Sequence, residues 1–285
     1  MTLNYNSSLE LKNFLEQQGL GMLKKFGQNF LVDANAKNIL VDALDIQAGD
    51  EVWEIGPGLG AMTALLLEKD VKLKAFEIDK GFIRILKELF GGNDNFNLIE
   101  GDVMKNWENH GAPSAVPRYL FGNLPYNIAA ALLADFIEKG QIFRRMVVTV
   151  QKETALRMAA KAGTKDYSSF SVLCASSYKV KPVITISPSS FYPQPNVDSM
   201  GVLLESKGIP QIPPCFFKLV RALFASRRKT IRNNLAAFVN SKEICEAVLS
   251  ENGLNGNERA ETLDVDMFFS LAKSLENMRL YKKEC

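Results

Sequence analysis

From Asp50 to Ala162 the chain alternates short apolar runs with longer stretches whose apolar residues recur at helical spacing. That alternation is the tightest constraint on the fold, because strands separated by helices must pair in parallel and be covered on both faces. Asp50-Glu51-Val52-Trp53-Glu54-Ile55 reads as a strand, stopped by Gly56-Pro57-Gly58-Leu59-Gly60 and followed by a helix from Ala61 to Lys69. Further strands are expected at Lys72 to Ile78, Phe96 to Glu100, Arg118 to Gly122 and Arg145 to Gln151. Helices are expected at Lys80 to Phe90, Ile128 to Lys139 and Glu153 to Ala162. Two more helices, 8 to 19 and 33 to 45, flank the basic stretch KKFGQNFLVD ahead of the first strand.

After Tyr167 the pattern turns β-rich. Tyr178 to Ser187 and Ser199 to Glu205, joined by SPSSFYPQPNVD, predict a hairpin added to the sheet edge. Ser206 to Pro214 holds three prolines and a glycine and reads as a linker. From Cys215 onward the apolar spacing is helical. The expectation is an α/β domain over residues 1–206, a Rossmann-like sheet, and a small all-helical C-terminal domain over residues 207–285.

The glycine turn places a ligand site at the carboxyl end of the sheet, where backbone closely approaches a nucleotide-like molecule. The pattern Gly56-x-Gly58-x-x-Ala61 also fits a dinucleotide fingerprint, so the turn alone leaves a nicotinamide enzyme and a methyltransferase both open. Glu77, 17 residues past Gly60 at the end of the second strand, is positioned to accept ribose hydroxyls. Asp102 closes the third strand as a partner for an adenine amine. Asp79 reads as a helix cap.

Histidine chemistry is nearly excluded, since His110 stands alone in a polar, loop-like stretch. Cys174, Cys215, Cys245 and Cys285 form no CxxC pair, which argues against a structural zinc site and suits a reducing compartment. No metal is expected. No apolar run approaches the roughly 20 residues that span a bilayer, and no secretory leader is evident, so a cytoplasmic location is expected. Net charge is only +2, yet Ser206 to Lys242 contains eight bases and no acid. Such a stretch suits a polyanion as readily as it suits the solvated face of a helix.

Asn123-Leu124-Pro125-Tyr126, at the end of the fourth strand, resembles the NPPY-type motif of methyltransferases that act on amino groups of nucleic-acid bases. An exocyclic adenine amine is a weak nucleophile because its lone pair is delocalised into the ring. The Asn123 side-chain oxygen and the Leu124 carbonyl would accept from it, Pro125 would fix the turn, and Tyr126 would stack on the base. No strong base is needed when the leaving group is a neutral thioether.

Taken in order, Lys25-Phe26-Gly27-Gln28-Asn29-Phe30-Leu31, GPGLG, Glu77-Ile78-Asp79, Gly101-Asp102, NLPY and Phe191-Tyr192-Pro193-x-Pro195-x-Val197-x-Ser199 resemble the small-subunit ribosomal RNA adenine N6,N6-dimethyltransferase family. Phe224-x-x-Arg227-Arg228-Lys229-Thr230 and Arg259-Ala260-Glu261 extend the likeness over nearly the whole chain. The resemblance implies dimethylation of two adjacent adenosines in the 3′-terminal hairpin loop of small-subunit (16S) ribosomal RNA. It further implies S-adenosyl-L-methionine as donor, and a monomer acting on an immature small subunit. Gln28, Asn29, Leu31, Gly56, Gly58, Glu77, Ile78, Asp102, Val103 and Asn123 would contact the donor. Asn123, Leu124, Pro125, Tyr126 and Phe191 would hold the adenine, with Phe191 beside Tyr126 as an aromatic sandwich. Lys24, Lys25, Arg227, Arg228, Lys229 and Arg232 would meet RNA phosphates. A large-subunit (23S) adenine N6-methyltransferase and a non-catalytic assembly factor are the competing readings. FASRRKT with RAE favours the small-subunit one.

Overall fold

The computed structural model describes residues 3–20, 28–110, 118–208 and 211–278. These form two compact units, residues 1–155 with 180–206 and residues 156–179 with 207–285.

In the first unit α1 (Ser8–Gln17) precedes β1 (Phe30–Leu31) and α2 (Ala34–Leu44). The alternating series follows as β2 (Glu51–Ile55), α3 (Ala61–Leu67), β3 (Lys72–Glu77), α4 (Lys80–Phe90), β4 (Phe96–Glu100), α5 (Val103–Asn106), β5 (Arg118–Asn123), α6 (Ala129–Glu138), β6 (Arg145–Gln151) and α7 (Lys152–Ala159). The helix α8 (Ser169–Ser177) leads to β7 (Tyr178–Ile186), β8 (Phe191–Tyr192) and β9 (Ser199–Ser206). Seven strands make one sheet in the order β4-β3-β2-β5-β6-β9-β7, while β1 and β8 pair separately and antiparallel.

Strands β4 to β6 run parallel in this order, and β9 is antiparallel to β6. The central strands β2, β5 and β6 are buried along almost their full length, which is why they read as continuous apolar runs rather than alternating ones. The late pair joins at the edge as expected, with β9 inside and β7 outermost. Strand order reverses between β2 and β5, and such a switch point opens a crevice at the carboxyl ends of the strands.

The amino-terminal segment is fastened to the sheet's ligand edge. Leu11, Phe14 and Leu15 of α1 pack with Leu59 of the glycine turn and with Phe82 and Ile85 of α4. The Tyr5 hydroxyl donates to the Leu59 carbonyl (3.0 Å). The Lys37 ammonium, in a residue only 3% exposed, donates to the Tyr5 carbonyl (3.1 Å) and to Asn6 Oδ1 (2.6 Å). Burial lowers its pKa to about 8.

The second unit adds α9 (Phe216–Phe224), α10 (Ile231–Val239), α11 (Lys242–Glu251) and α12 (Val265–Asn277). Its core contains Phe216, Leu219, Leu235, Val248, Phe268 and Leu271, and also Tyr167 and Val172 from upstream of β7. The Tyr167 hydroxyl donates to the Leu263 carbonyl (2.9 Å). Residues 156–179 therefore group with the C-terminal helices, whereas the sequence division puts them before the linker. The sequence also gives no sign of α8. No helix among the described residues is long and apolar enough to cross a membrane.

Candidate active site

A cavity of about 320 Å³ lies at the carboxyl edge of β2, β3 and β5, lined also by Gln28 and Asn29 just before β1. All ten residues expected to contact a donor line it: Gln28, Asn29 and Leu31 around β1, Gly56 and Gly58 after β2, Glu77 and Ile78 after β3, Asp102 and Val103 after β4, and Asn123 at the end of β5. A parallel sheet brings these together because every strand delivers its last residue to the same edge.

Gly58 adopts φ +58°, a left-handed conformation that favours glycine, and a Cβ there would stand 2.8 Å from the Phe30 ring. Its amide donates to Glu77 Oε2 (3.1 Å), while Glu77 Oε1 accepts from the Ile78 and Asp79 amides (2.9 and 2.8 Å). Burial pushes the Glu77 carboxyl above its ordinary value, and the three amides pull it back only in part. Oε2 retains acceptor capacity toward the cavity. Asp79 caps α4 through the Gly81 amide (2.8 Å) and accepts from Gln28 Nε2 (3.0 Å), so it orients a lining residue. Asp102 caps α5 through Oδ1, accepting from the Met104 amide (3.0 Å). Its other oxygen has no hydrogen-bond partner among the described residues.

At the end of β5 the Asn123 Nδ2 donates to the Asn29 carbonyl (2.7 Å). Because a carbonyl only accepts, this bond fixes the amide orientation and leaves Oδ1 unspent. The Leu124 amide donates to the Thr149 carbonyl (3.1 Å), and the Leu124 carbonyl accepts nothing among the described residues. Among the described residues two acceptors therefore stand free on consecutive positions, at a turn whose Pro125 and Asn127 line the cavity. Tyr126 is half-buried between them, and its hydroxyl lies 2.6 Å from Ser199 Oγ. Burial raises its pKa.

Phe191 departs from expectation. Pairing of Leu31 with Phe191 turns this ring into the core with Leu40, Phe121 and Val147, where it is 1% exposed. It makes no ring contact with Tyr126, so the aromatic sandwich is not assembled. His110 also differs, being partly buried with its ring edge-on to Phe76 (5.8 Å) rather than solvated.

Several lining residues escaped the sequence: Glu54, Phe76, Phe82 and Asn127. Only Glu54 carried a signal, an acid between the apolar residues Trp53 and Ile55 of a central strand. It is 2% exposed, accepts from the Thr63 hydroxyl (2.7 Å), and burial raises its carboxyl to about 8.

The residues expected to meet RNA fall into three groups. Lys24 and Lys25 lie outside the described residues. Arg227 donates to Glu261 (3.1 Å) and to the carbonyls of Lys165 and Tyr167 (both 3.2 Å), and Arg232 pairs with Glu246 and the Asn255 carbonyl. Arg228 and Lys229 are exposed, and their side chains have no partner among the described residues. Their loop is held from below by Asn234, whose Nδ2 donates to the Leu223 and Ser226 carbonyls (2.8 and 3.2 Å).

Known proteins resemble the chain along most of its length. It is 50% identical over 277 residues to Ribosomal RNA small subunit methyltransferase A of Treponema denticola, covering 94% of each. A dimethyladenosine transferase from Plasmodium falciparum superposes with a TM-score of 0.73 at 26% identity, covering 86% of this chain and 96% of that one. The 23S rRNA methyltransferase ErmE shares the fold at a TM-score of 0.65 and 20% identity, covering 86% and 99%. The family described as Ribosomal RNA adenine dimethylase matches residues 21–277, and the chain belongs to that family.

Proposed function

We propose that this protein dimethylates the N6 of two adjacent adenosines in the 3′-terminal hairpin loop of small-subunit ribosomal RNA, acting in the cytoplasm as a monomer on an immature subunit. The observation that carries the reading is the Asn123 side chain. Its nitrogen is spent on the Asn29 carbonyl, so Oδ1, together with the Leu124 carbonyl, is available to accept from an amine.

S-adenosyl-L-methionine, when bound, supplies a methyl group on a positively charged sulfur that departs as a neutral thioether. The cavity suits it: about 320 Å³ is within the range of small-molecule sites, and Gly56 on its lining leaves open a place that a Cβ would fill. Glu77 would accept ribose hydroxyls, and the free Asp102 oxygen an adenine amino group. Gln28, Asn29, Leu31, Gly56, Ile78 and Val103 would complete the walls.

On the substrate side, acceptance by Asn123 Oδ1 and the Leu124 carbonyl draws the amine hydrogens out of the base plane and restores lone-pair density to nitrogen. Attack makes that nitrogen acidic, so its proton passes to water without a strong base. The contribution of the chain is orientation and charge placement. Loop RNA suits such a turn because its bases are already unstacked. Arg228 and Lys229, exposed and without partners among the described residues, are the strongest candidates for phosphate contacts.

The test is incubation with methyl-labelled S-adenosylmethionine and undermethylated small subunits, followed by digestion and mass identification of the nucleoside. N6,N6-dimethyladenosine is expected from the parent, and loss of transfer with retained RNA binding from Asn123→Ala. Transfer by Asn123→Ala at the parental rate would overturn the assignment.

A further inference from the structure

Ser199 begins β9, is fully buried, and pairs with Gln151 at the end of β6. A hydroxyl removed from water needs a partner, and for a purely packed position alanine would serve as well. The partner present is the Tyr126 hydroxyl at 2.6 Å. The residue before it, Asp198, is fixed twice to the start of α7: its carbonyl accepts from the Lys152 amide (3.0 Å) and its carboxylate pairs with the Lys152 ammonium (3.2 Å). The anchor for Tyr126 is thus itself held to the sheet by backbone pairing and an ion pair, while the Leu124 amide ties the other side of the turn to Thr149 of β6.

We propose that Ser199 is a positioning residue for the methyl acceptor, holding the Tyr126 ring at a fixed angle so that a second methyl can be added to the same nitrogen. The inference rests on the proposed adenine N6 chemistry. An unmodified amine offers two hydrogens, one for Asn123 Oδ1 and one for the Leu124 carbonyl, and these alone fix its direction. After one transfer a methyl replaces one hydrogen, one anchoring bond is lost, and the base is oriented mainly by the surface beneath it. Slack in the Tyr126 ring therefore matters more to the second transfer than to the first.

The experiment follows methylation of undermethylated small subunits by the full-length protein carrying Ser199→Ala, Tyr126→Phe or both, and measures the N6-methyladenosine to N6,N6-dimethyladenosine ratio at equal total methyl incorporation. Urea unfolding midpoints are measured in parallel. Each single variant is expected to raise the monomethyl share about three- to tenfold, the worth of one hydrogen bond. The double variant is expected to add nothing further, since both remove the same bond. If the ratio stays parental while midpoint and total turnover fall, Ser199 is merely structural and the proposal is overturned. Additive effects of the two substitutions would overturn it as well. Should Ser199→Ala fail to fold, Tyr126→Phe, which leaves β9 intact, decides alone by its ratio. If the parent protein forms no methylated adenine, the proposed function fails instead, and the two failures are distinct.

Discussion

Glu54 offers the sharpest quantitative test of the cavity floor. The carboxyl is 2% exposed and its hydrogen-bond partner among the described residues is the Thr63 hydroxyl, so burial lifts it from 4.5 to about 8. Between those values the unfolded chain has released the proton while the folded chain keeps it. The associated stability is therefore fully present below pH 4.5 and is lost as pH rises toward 8. At about 1.4 kcal/mol per pKa unit, the loss amounts to about 3 to 5 kcal/mol by pH 8. Glu54→Gln is nearly isosteric, still accepts from Thr63, and cannot ionise. Urea unfolding of parent and variant without ligand, at pH 5, 6.5 and 8, should give similar stabilities at pH 5 and a widening advantage for the variant above it. Lys37 and His110 titrate in both proteins and cancel in the difference, whereas the repulsion from Glu77 that contributes to the Glu54 shift is present in the parent alone. Parallel stability curves across the range would refute the reasoning, because Glu54 would then be ionised in the folded state.

Three further outcomes follow from the geometry. Arg228→Glu with Lys229→Glu should weaken binding to ribosomal RNA and reduce the salt dependence of the logarithm of affinity by about two, leaving the melting temperature within error. Arg227→Ala should instead lower stability by about 1 kcal/mol through lost bonds to Glu261, Lys165 and Tyr167, and equal salt effects from all three substitutions would contradict this division. Gly58→Ala combines a φ of +58° with a 2.8 Å approach to Phe30, so calorimetry should show donor affinity reduced at least tenfold while the far-ultraviolet circular dichroism is unchanged.

The cavity lining was legible because it is built from short local signals repeated at successive strand ends: the glycine turn, Glu77, Asp102 and Asn123. Parallel pairing then does the rest, carrying residues distant in sequence to one edge. Asp79 was legible as a cap for the same reason, since an acid before a helix bonds amides two and three residues on. What escaped lacked a periodic or local signal. Seven residues of α8 are buried, around all sides of the helix, so no polar face marks it in the sequence. The partners of Arg227 lie 34 to 62 positions away, and no spacing in FASRRKT announces that its first arginine is tied to the chain while the side chains of the next two residues have no partner among the described residues. Phe191 sits in a strand of two residues, too short for alternation to reveal which way its ring points.

The Lys37 ammonium is one end of a linkage that reaches the glycine turn through Tyr5. Shortening the polypeptide by its first half-dozen residues would strand a cation inside the protein and free the Leu59 carbonyl at once. Purification handles and leader fusions at this end therefore belong on a spacer long enough to leave Tyr5 and Asn6 seated, or donor affinity will be measured on an altered loop.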